Sequence, residues 1–193
     1  MQGDCNSLGE IKCFQKHKLI IGILTTLSSR QDEIIKTLSD EIGEIDYIRP
    51  LMDFNYTDYY DSEMGDNIRR VFVSFKNLVD PSKLADIKIH TNYLEKLYSV
   101  RVKSDEKHDG EEHRRVNFDP GLLCSSRLIL ATTKDNVHRV PVRDGIYEEV
   151  TLIFRGGRFE ALPWTYADYR TEEYEKVFMK IREIYKSGLK AIH

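Results

Sequence analysis

Two glycine-centred turns constrain this chain more than any other feature. Asp144-Gly145 and Gly156-Gly157 separate three short alternating runs, 137–142, 146–154 and 158–162. A two-residue connection that tolerates positive φ leaves no length for a crossover, so the three runs pair in sequence as an antiparallel β-meander. Turn length also fixes register, and register fixes faces. Arg143 then lies opposite Ile146, Val140 opposite Glu149, His138 opposite Thr151, and Phe154 opposite Phe159. One face carries Ile146, Val150, Leu152, Phe154, Phe159 and Ala161 and is expected to meet the core. The other collects His138, Glu149, Thr151, Arg155, Arg158 and Glu160, the composition of a solvated face.

The rest of the chain supplies partners for that meander. Residues 19–26, LIIGILTT, read as a central strand covered on both sides. A helix follows, with Ser28 and Gln31 placed as a capping box, Ile34, Ile35, Leu38 and Ile42 on one face, and Gly43 as its stop. Residues 45–54 form a second strand in which Pro50 demands an edge position or a bulge. A third runs from Arg69 to Phe75. Asp80-Pro81 opens a second helix reaching about Tyr98. The charged stretch 101–113 reads as a solvated loop. Arg114 to Asp119 alternates again, and Asp119-Pro120-Gly121 ends that strand or caps a short helix through Leu130. Thr171 caps a final helix with the stripe Tyr174, Val177, Phe178, Ile181, Ile184 and Tyr185, which Gly188 is expected to follow. Residues 1–17 are thus a tail and 18–193 one α+β domain. Its mostly antiparallel sheet has a ferredoxin-like βαββαβ start, a C-terminal β-meander and helices packed on it.

Composition excludes several functional classes. With 29 basic and 32 acidic side chains the formal charge is −3, which argues against a whole-surface nucleic-acid footprint. A chain of 193 residues can bury about 70% of its unfolded surface, enough for one core without staples. Three cysteines, Cys5, Cys13 and Cys124, make no disulfide framework and point to a reducing, cytoplasmic setting. Cys5, Cys13 and His17 lack a knuckle spacing and a fourth ligand. The run 19–24 is too short to span a membrane and has no signal-peptidase site after it. Phosphate-loop, dinucleotide-fold, zinc-protease, hydrolase-elbow and zinc-deaminase signatures are all missing.

Candidate chemistry gathers in three places. On the meander, His138 and Glu149 are diagonal neighbours, within reach of each other as a general acid or base pair. The structural alternative is a wet sheet face with mixed charge. Arg139 and Arg143 are expected near the core-facing side, where they either hold a phosphate or carboxylate or pair internally with Glu148. Thr133-Lys134-Asp135 is similar to the guanine-reading T-K-x-D pattern but lacks its intervening residue, and Lys134 is a further ligand-binding candidate. The second place is DFNYTDYY, Asp53 to Tyr60. Tyr56, Tyr59 and Tyr60 can stack on a base or sugar there and Asp53 can bond a hydroxyl, or the aromatics form a small core under a loop. The third is RRVNFDPG, whose Asp119 either joins Asp53 in a two-carboxylate metal site or is a cap or turn residue.

DFNYTDYY, RRVNFDPG, ATTKDNVHR, RDGIYEEVTLIFRGG and LPWTYADYRTEEY together resemble the prokaryotic domain of unknown function 4416 family, over about residues 18–187. The family has no established activity, so the resemblance implies no catalytic residue and no cofactor. A GTP-binding label carried by some members finds no phosphate loop in this chain. The expected function is binding of a phosphate-bearing small molecule or nucleotide. Arg139 and Arg143 would hold the anion, Lys134 is a further ligand-binding residue, the tyrosines would stack, and His138 with Glu149 would handle protons if there is chemistry. The alternative is a non-catalytic interaction or homo-oligomeric assembly module using Trp164, Tyr166 and Tyr169 as an aromatic contact patch. RNA binding by aromatic stacking is the third reading, weakened by the lack of a basic stripe.

Overall fold

The computed structural model describes residues 11–56, 64, 67–101 and 112–190. Strand β1, His17–Thr25, is buried at every position, as its run of branched aliphatics requires of a strand covered on both faces. It lies between β3, Arg69–Val79, and β6, Val116–Leu123, and is antiparallel to both. Beyond β3 lies the edge strand β2, Ile45–Asp53. Pro50 occupies both permitted situations at once, an outer strand and a register shift between Arg49 and Met52. Helices α1, Gln31–Glu41, and α2, Leu84–Lys96, complete the βαββαβ unit, whose strands stand in the order β6-β1-β3-β2.

Three further strands widen the sheet on the β6 side. These are β7, Arg127–Thr132, then β9, Ile146–Arg155, and the outer β10, Arg158–Ala161. Strand β8, Val140–Arg143, pairs with β9 off the main path. The short strands β4, Val100–Arg101, and β5, Glu112–His113, pair with each other in a separate two-stranded sheet. The result is an α+β domain with a mostly antiparallel eight-stranded sheet.

Alternation along the central strands sends side chains to two cores. Leu19, Ile21 and Ile23 of β1 join Val71, Val73, Val116 and Phe118 beneath α1 and α2. Ile20 and Phe72 face the other way, toward α3, Glu172–Lys190, which contributes Tyr174, Val177, Phe178 and Ile181. Among the described residues no helix is long and apolar enough to cross a membrane.

Several local expectations change. Ser28 and Gln31 do not form a capping box. A 3₁₀ turn, Ser28–Arg30, precedes α1, and the hydroxyl of Thr25 instead accepts from Leu27 N–H at 2.9 Å. Asp80 does cap its turn, accepting from Ser82 N–H at 2.9 Å. Thr171 likewise accepts from Tyr174 N–H, at 3.3 Å. Helix α3 continues through Gly188 to Lys190, so that glycine is no stop.

Pro120-Gly121 neither ends β6 nor begins a helix. The strand passes through both residues and hairpins into β7. The ladder with β7 starts at Gly121, so the imide nitrogen of Pro120 falls where β7 asks for no donor. Gly121 is required because a Cβ there would lie 2.6 Å from the carbonyl oxygen of Ile129. In the meander both turns have positive φ at both central residues, at Asp144-Gly145 and at Gly156-Gly157. Phe154 does pair with Phe159, and Arg143 with Ile146. Val140, however, sits opposite Glu148 rather than Glu149, because Val142 is an extra residue in β8.

Candidate functional site

Gly22 opens the site. In the middle of β1 it stands level with Phe72 on one side and Asp119 on the other. With no side chain there, the guanidinium of Arg70, two residues along β3 from Phe72, passes across β1 to β6. A Cβ on Gly22 would lie 2.9 Å from the Arg70 Nη1 and 3.3 Å from the Tyr169 hydroxyl. Arg70 donates from Nη1 to Asp119 Oδ2 at 2.9 Å and from Nη2 to Asp168 Oδ2 at 3.1 Å. Asp168 comes from the turn Asp168–Arg170 that precedes α3. The rings of Phe54, Phe72 and Tyr169 stand around the guanidinium, 5.3 to 5.9 Å from its carbon.

The polar chain continues from there. Asn117 donates to Asp119 Oδ1 at 2.7 Å and accepts from Arg114 at 2.8 Å, and Arg114 also bonds Glu95 at 2.9 Å. Glu95 accepts from Phe118 N–H at 2.8 Å, and Lys88 donates to the Phe118 carbonyl at 2.7 Å. These groups form the floor of a cleft of about 630 Å³. Although both aspartates hold Arg70, they are tuned in opposite directions. Burial pushes the Asp119 carboxyl up, but Arg70, Lys88 and the Asn117 amide outweigh it, and the group ends below the usual range. At Asp168 burial prevails over Arg70, and nearby Asp119 adds to the rise. Burial also drives the Tyr169 hydroxyl well above its ordinary value.

The rim is built on β9. The expectation of a solvated face at Glu149 and Thr151 is overturned, since both are buried, at 3% and 0% exposure. Two causes act together. Between β7 and β9 the register slips, with Leu128 opposite Leu152 but Ile129 opposite Val150, so Thr151 is an extra residue and the faces exchange. Ile146 therefore belongs to the core under α1 and α2, whereas Leu152 and Phe159 belong to the core under α3. In addition, residues 162–170 fold over this part of β9. The Trp164 indole N–H donates to the Val150 carbonyl at 2.9 Å, and the Thr165 hydroxyl donates to the Thr151 carbonyl.

Within that cover Glu149 accepts from Arg139 Nε at 2.8 Å, from His138 Nε2 at 3.0 Å and from the Thr151 hydroxyl at 3.3 Å. A carboxylate only accepts, so His138 carries a proton on Nε2. Its ring stacks on Trp164 at 5.3 Å and 11°. Arg139 further donates to the Lys134 carbonyl at 2.8 Å and to the Tyr166 hydroxyl. Burial works against the Arg139 charge, but its bond to Glu149 holds its pKa above the ordinary value.

Of the residues singled out from sequence, Arg139, Glu149, Lys134, Tyr56 and Asp119 line the cleft together. His138 touches it only through Glu149. Arg143 does not join them, because the extra residue in β8 leaves it exposed between Asp86 and Asp144; nor does it pair with Glu148. Asp53 is also off the cleft, in an exposed pair with Arg69 at 2.6 Å, while Asp119 is committed to Arg70 and Asn117. Among the described residues no cluster of three metal-binding side chains exists. Tyr59 and Tyr60 lie outside the described residues. Tyr169 is buried and cannot belong to an exposed patch with Trp164 and Tyr166.

Sequence reasoning missed Arg70, Asp168, Lys88 and Glu95, whereas Arg114, Asn117 and Asp119 all belong to the RRVNFDPG segment it singled out. One signal was present, the lone glycine inside LIIGILTT, which marks close approach of another group to a strand. The model of the domain of unknown function DUF4416 matches residues 15–185. No curated protein and no solved structure is significantly similar to the chain. The match spans both layers of helices and every residue of the cleft, and the chain therefore belongs to the DUF4416 family.

Proposed function

We propose that the cleft binds a phosphate-bearing small molecule, a nucleotide or a sugar phosphate. Its size falls in the range of small-molecule sites, and polar groups converge in it from β3, β6, β9, α2 and the 162–170 segment. The lining balances Arg70, Lys88, Arg114, Lys134 and Arg139 against Glu95, Asp119, Asp135, Glu149 and Asp168. On the floor the cations are already neutralised by carboxylates, an arrangement suited to the uncharged hydroxyls and amides of a sugar or base rather than to a phosphate. The anion belongs at the rim.

Arg139 carries that assignment. A guanidinium has five N–H donors, and three bonds from Arg139 are made among the described residues, leaving donors beside Lys134 and Tyr166. Tyr56, which is partly exposed, supplies a ring for stacking. If the bound molecule reacts, Glu149 with His138 and Asp168 are the proton-handling groups within reach. A cytoplasmic, prokaryotic setting belongs to the same reading and rests on the cysteine usage and the resemblance described above.

A thermal-shift panel of nucleotides and sugar phosphates tests the proposal. A ligand at 100 times its Kd should stabilise the protein by about 2.7 kcal/mol, and Arg139→Gln should remove that gain. Absence of a shift with every member would count against it. A second reading draws on the exposure of Val137, Val140, Trp164 and Tyr166 beside the rim, a surface able to take a protein partner or a second copy. Light scattering on wild type and Trp164→Ala separates it, since a monomer in both cases removes self-assembly through this face.

A further inference from the structure

One segment supplies an acceptor to each of the two arginines compared in the cleft. Residues 162–170 run from the end of β10 to the start of α3 without joining the sheet. On the way Tyr166 accepts from Arg139 Nη2 at the rim, and Asp168 accepts from Arg70 Nη2 on the floor at 3.1 Å. All four residues from Tyr166 to Tyr169 line the cleft. A segment outside the ladder has no strand partner to place it, so these acceptors depend on bonds made elsewhere in the segment.

Two sets of bonds do this. The first ties the segment to β9, through the Trp164 indole N–H on the Val150 carbonyl at 2.9 Å and the Thr165 hydroxyl on the Thr151 carbonyl. The second closes the segment on itself. The Thr165 hydroxyl accepts from Leu162 N–H at 2.8 Å, and Thr165 N–H donates to the Leu162 carbonyl at 3.0 Å. Arg170 then gathers the same turn from behind. Its Nε donates to the Thr165 carbonyl at 2.7 Å, and its Nη2 donates to the Pro163 and Leu162 carbonyls at 2.9 and 3.3 Å. Arg170 is exposed, does not line the cleft and, among the described residues, has no carboxylate partner. Its charge is spent on three backbone carbonyls, a task that suits a planar fork of fixed donors better than an ammonium.

We propose that Arg170 is a positioning residue for the cleft. By clasping the 162–165 turn it sets Tyr166 against Arg139 and Asp168 against Arg70, and so governs ligand affinity without touching the ligand. The effect on affinity rests on the proposal that Arg139 holds a phosphate-bearing molecule. The route is short. Tyr166 directly follows Thr165, whose carbonyl takes the 2.7 Å bond from Arg170. Without the clasp the bonds from Trp164 and Thr165 still hold the segment to β9, while the Tyr166 hydroxyl is free to leave Arg139, which then loses one of its three orienting bonds. Trp164 reports the change, since it is the chain's single tryptophan and stacks on His138 at 5.3 Å.

The test compares wild type, Arg170→Ala and Arg170→Lys as full chains, each checked as folded by circular dichroism. Acrylamide quenching of Trp164 should rise in Arg170→Ala, and the Kd of the most stabilising phosphate-bearing molecule should weaken about tenfold, the loss of one net hydrogen bond. Arg170→Lys should restore both only in part, and it carries the same comparison if the alanine variant does not fold. A residue that merely stabilised the fold would act independently of Tyr166. A positioning residue acts through that hydroxyl, so in a Tyr166→Phe background Arg170→Ala should change Kd by less than about twofold. Quenching equal to wild type, or an undiminished loss of affinity in the Tyr166→Phe background, would overturn the proposal. Failure of wild type to bind any phosphate-bearing molecule would remove the reading of the cleft, and the quenching comparison would still decide the clasp.

Discussion

The floor and the rim of the cleft each hold an arginine between acceptors, yet they are different kinds of object. Arg70 is 2% exposed, clasped by two carboxylates and ringed by aromatics, and its partners are in turn bonded to Asn117, Arg114 and Glu95. Arg139 bonds one carboxylate, a backbone carbonyl and a tyrosine hydroxyl, and lines the cleft beside Lys134 and Tyr166. Two carboxylates match the Arg70 charge, and the group ties together β1, β3, β6 and the 168–170 turn. Arg139 is matched by a single carboxylate and lines the same cleft. On the proposed reading the first arginine serves architecture and the second recognition.

Substitutions separate the two assignments. Arg70→Met leaves two carboxylates without their cation and should lower stability by about 3–5 kcal/mol in chemical unfolding. A loss below 1 kcal/mol would mean that the floor is not structural. Gly22→Ala disturbs the same floor without changing any charge. Its methyl must displace Arg70, Phe72 and Tyr169, at an expected cost of about 1–3 kcal/mol. Arg139→Gln should cost only about 1–2 kcal/mol, since His138 still donates to Glu149, and its main effect should be on ligand binding. Equal destabilisation by Arg70→Met and Arg139→Gln would erase the distinction.

The smallest effect concerns pH. Asp119 is held below the ordinary value of 3.8 when folded, so its contribution is present above that value and is lost as pH falls through the folded one. Asp168 is raised, so its contribution is present below 3.8 and is lost as pH rises through its folded value. Urea unfolding between pH 3 and 6 should accordingly show a flatter acid limb for Asp119→Asn and a steeper one for Asp168→Asn. Slopes moving in the same direction would contradict the opposite tuning of the two groups.

How much of this was legible in the sequence differs along one strand. The β9–β10 hairpin was fully readable, because Gly156-Gly157 sets the turn and no extra residue follows, and Phe154 meets Phe159. On the other side of β9 the same reasoning fails twice, at Val142 and at Thr151, since nothing in composition announces an extra residue in a ladder. Each slip exchanges the faces, and the second carries Glu149 from the expected solvent side into the cleft wall. Pro120-Gly121 misled in another way. Its glycine answers to the close approach of β7, a tertiary fact, and not to a local turn. The Arg70 network joins residues 49 and 98 positions apart, so no local pattern could assemble it. What the sequence did carry was Gly22, a gap in an otherwise solid strand, through which Arg70 reaches its partners.

Calorimetric titration of the most stabilising nucleotide or sugar phosphate into wild type and Arg139→Gln, both verified as folded, addresses the division between floor and rim most directly. Binding to wild type with a loss of about 1.5–3 kcal/mol, or roughly 10- to 150-fold in Kd, for Arg139→Gln is the expected result, the worth of a charge-assisted hydrogen-bonded contact. Equal affinity for the two proteins, or no heat with any phosphate-bearing molecule, would contradict the assignment of the rim to recognition.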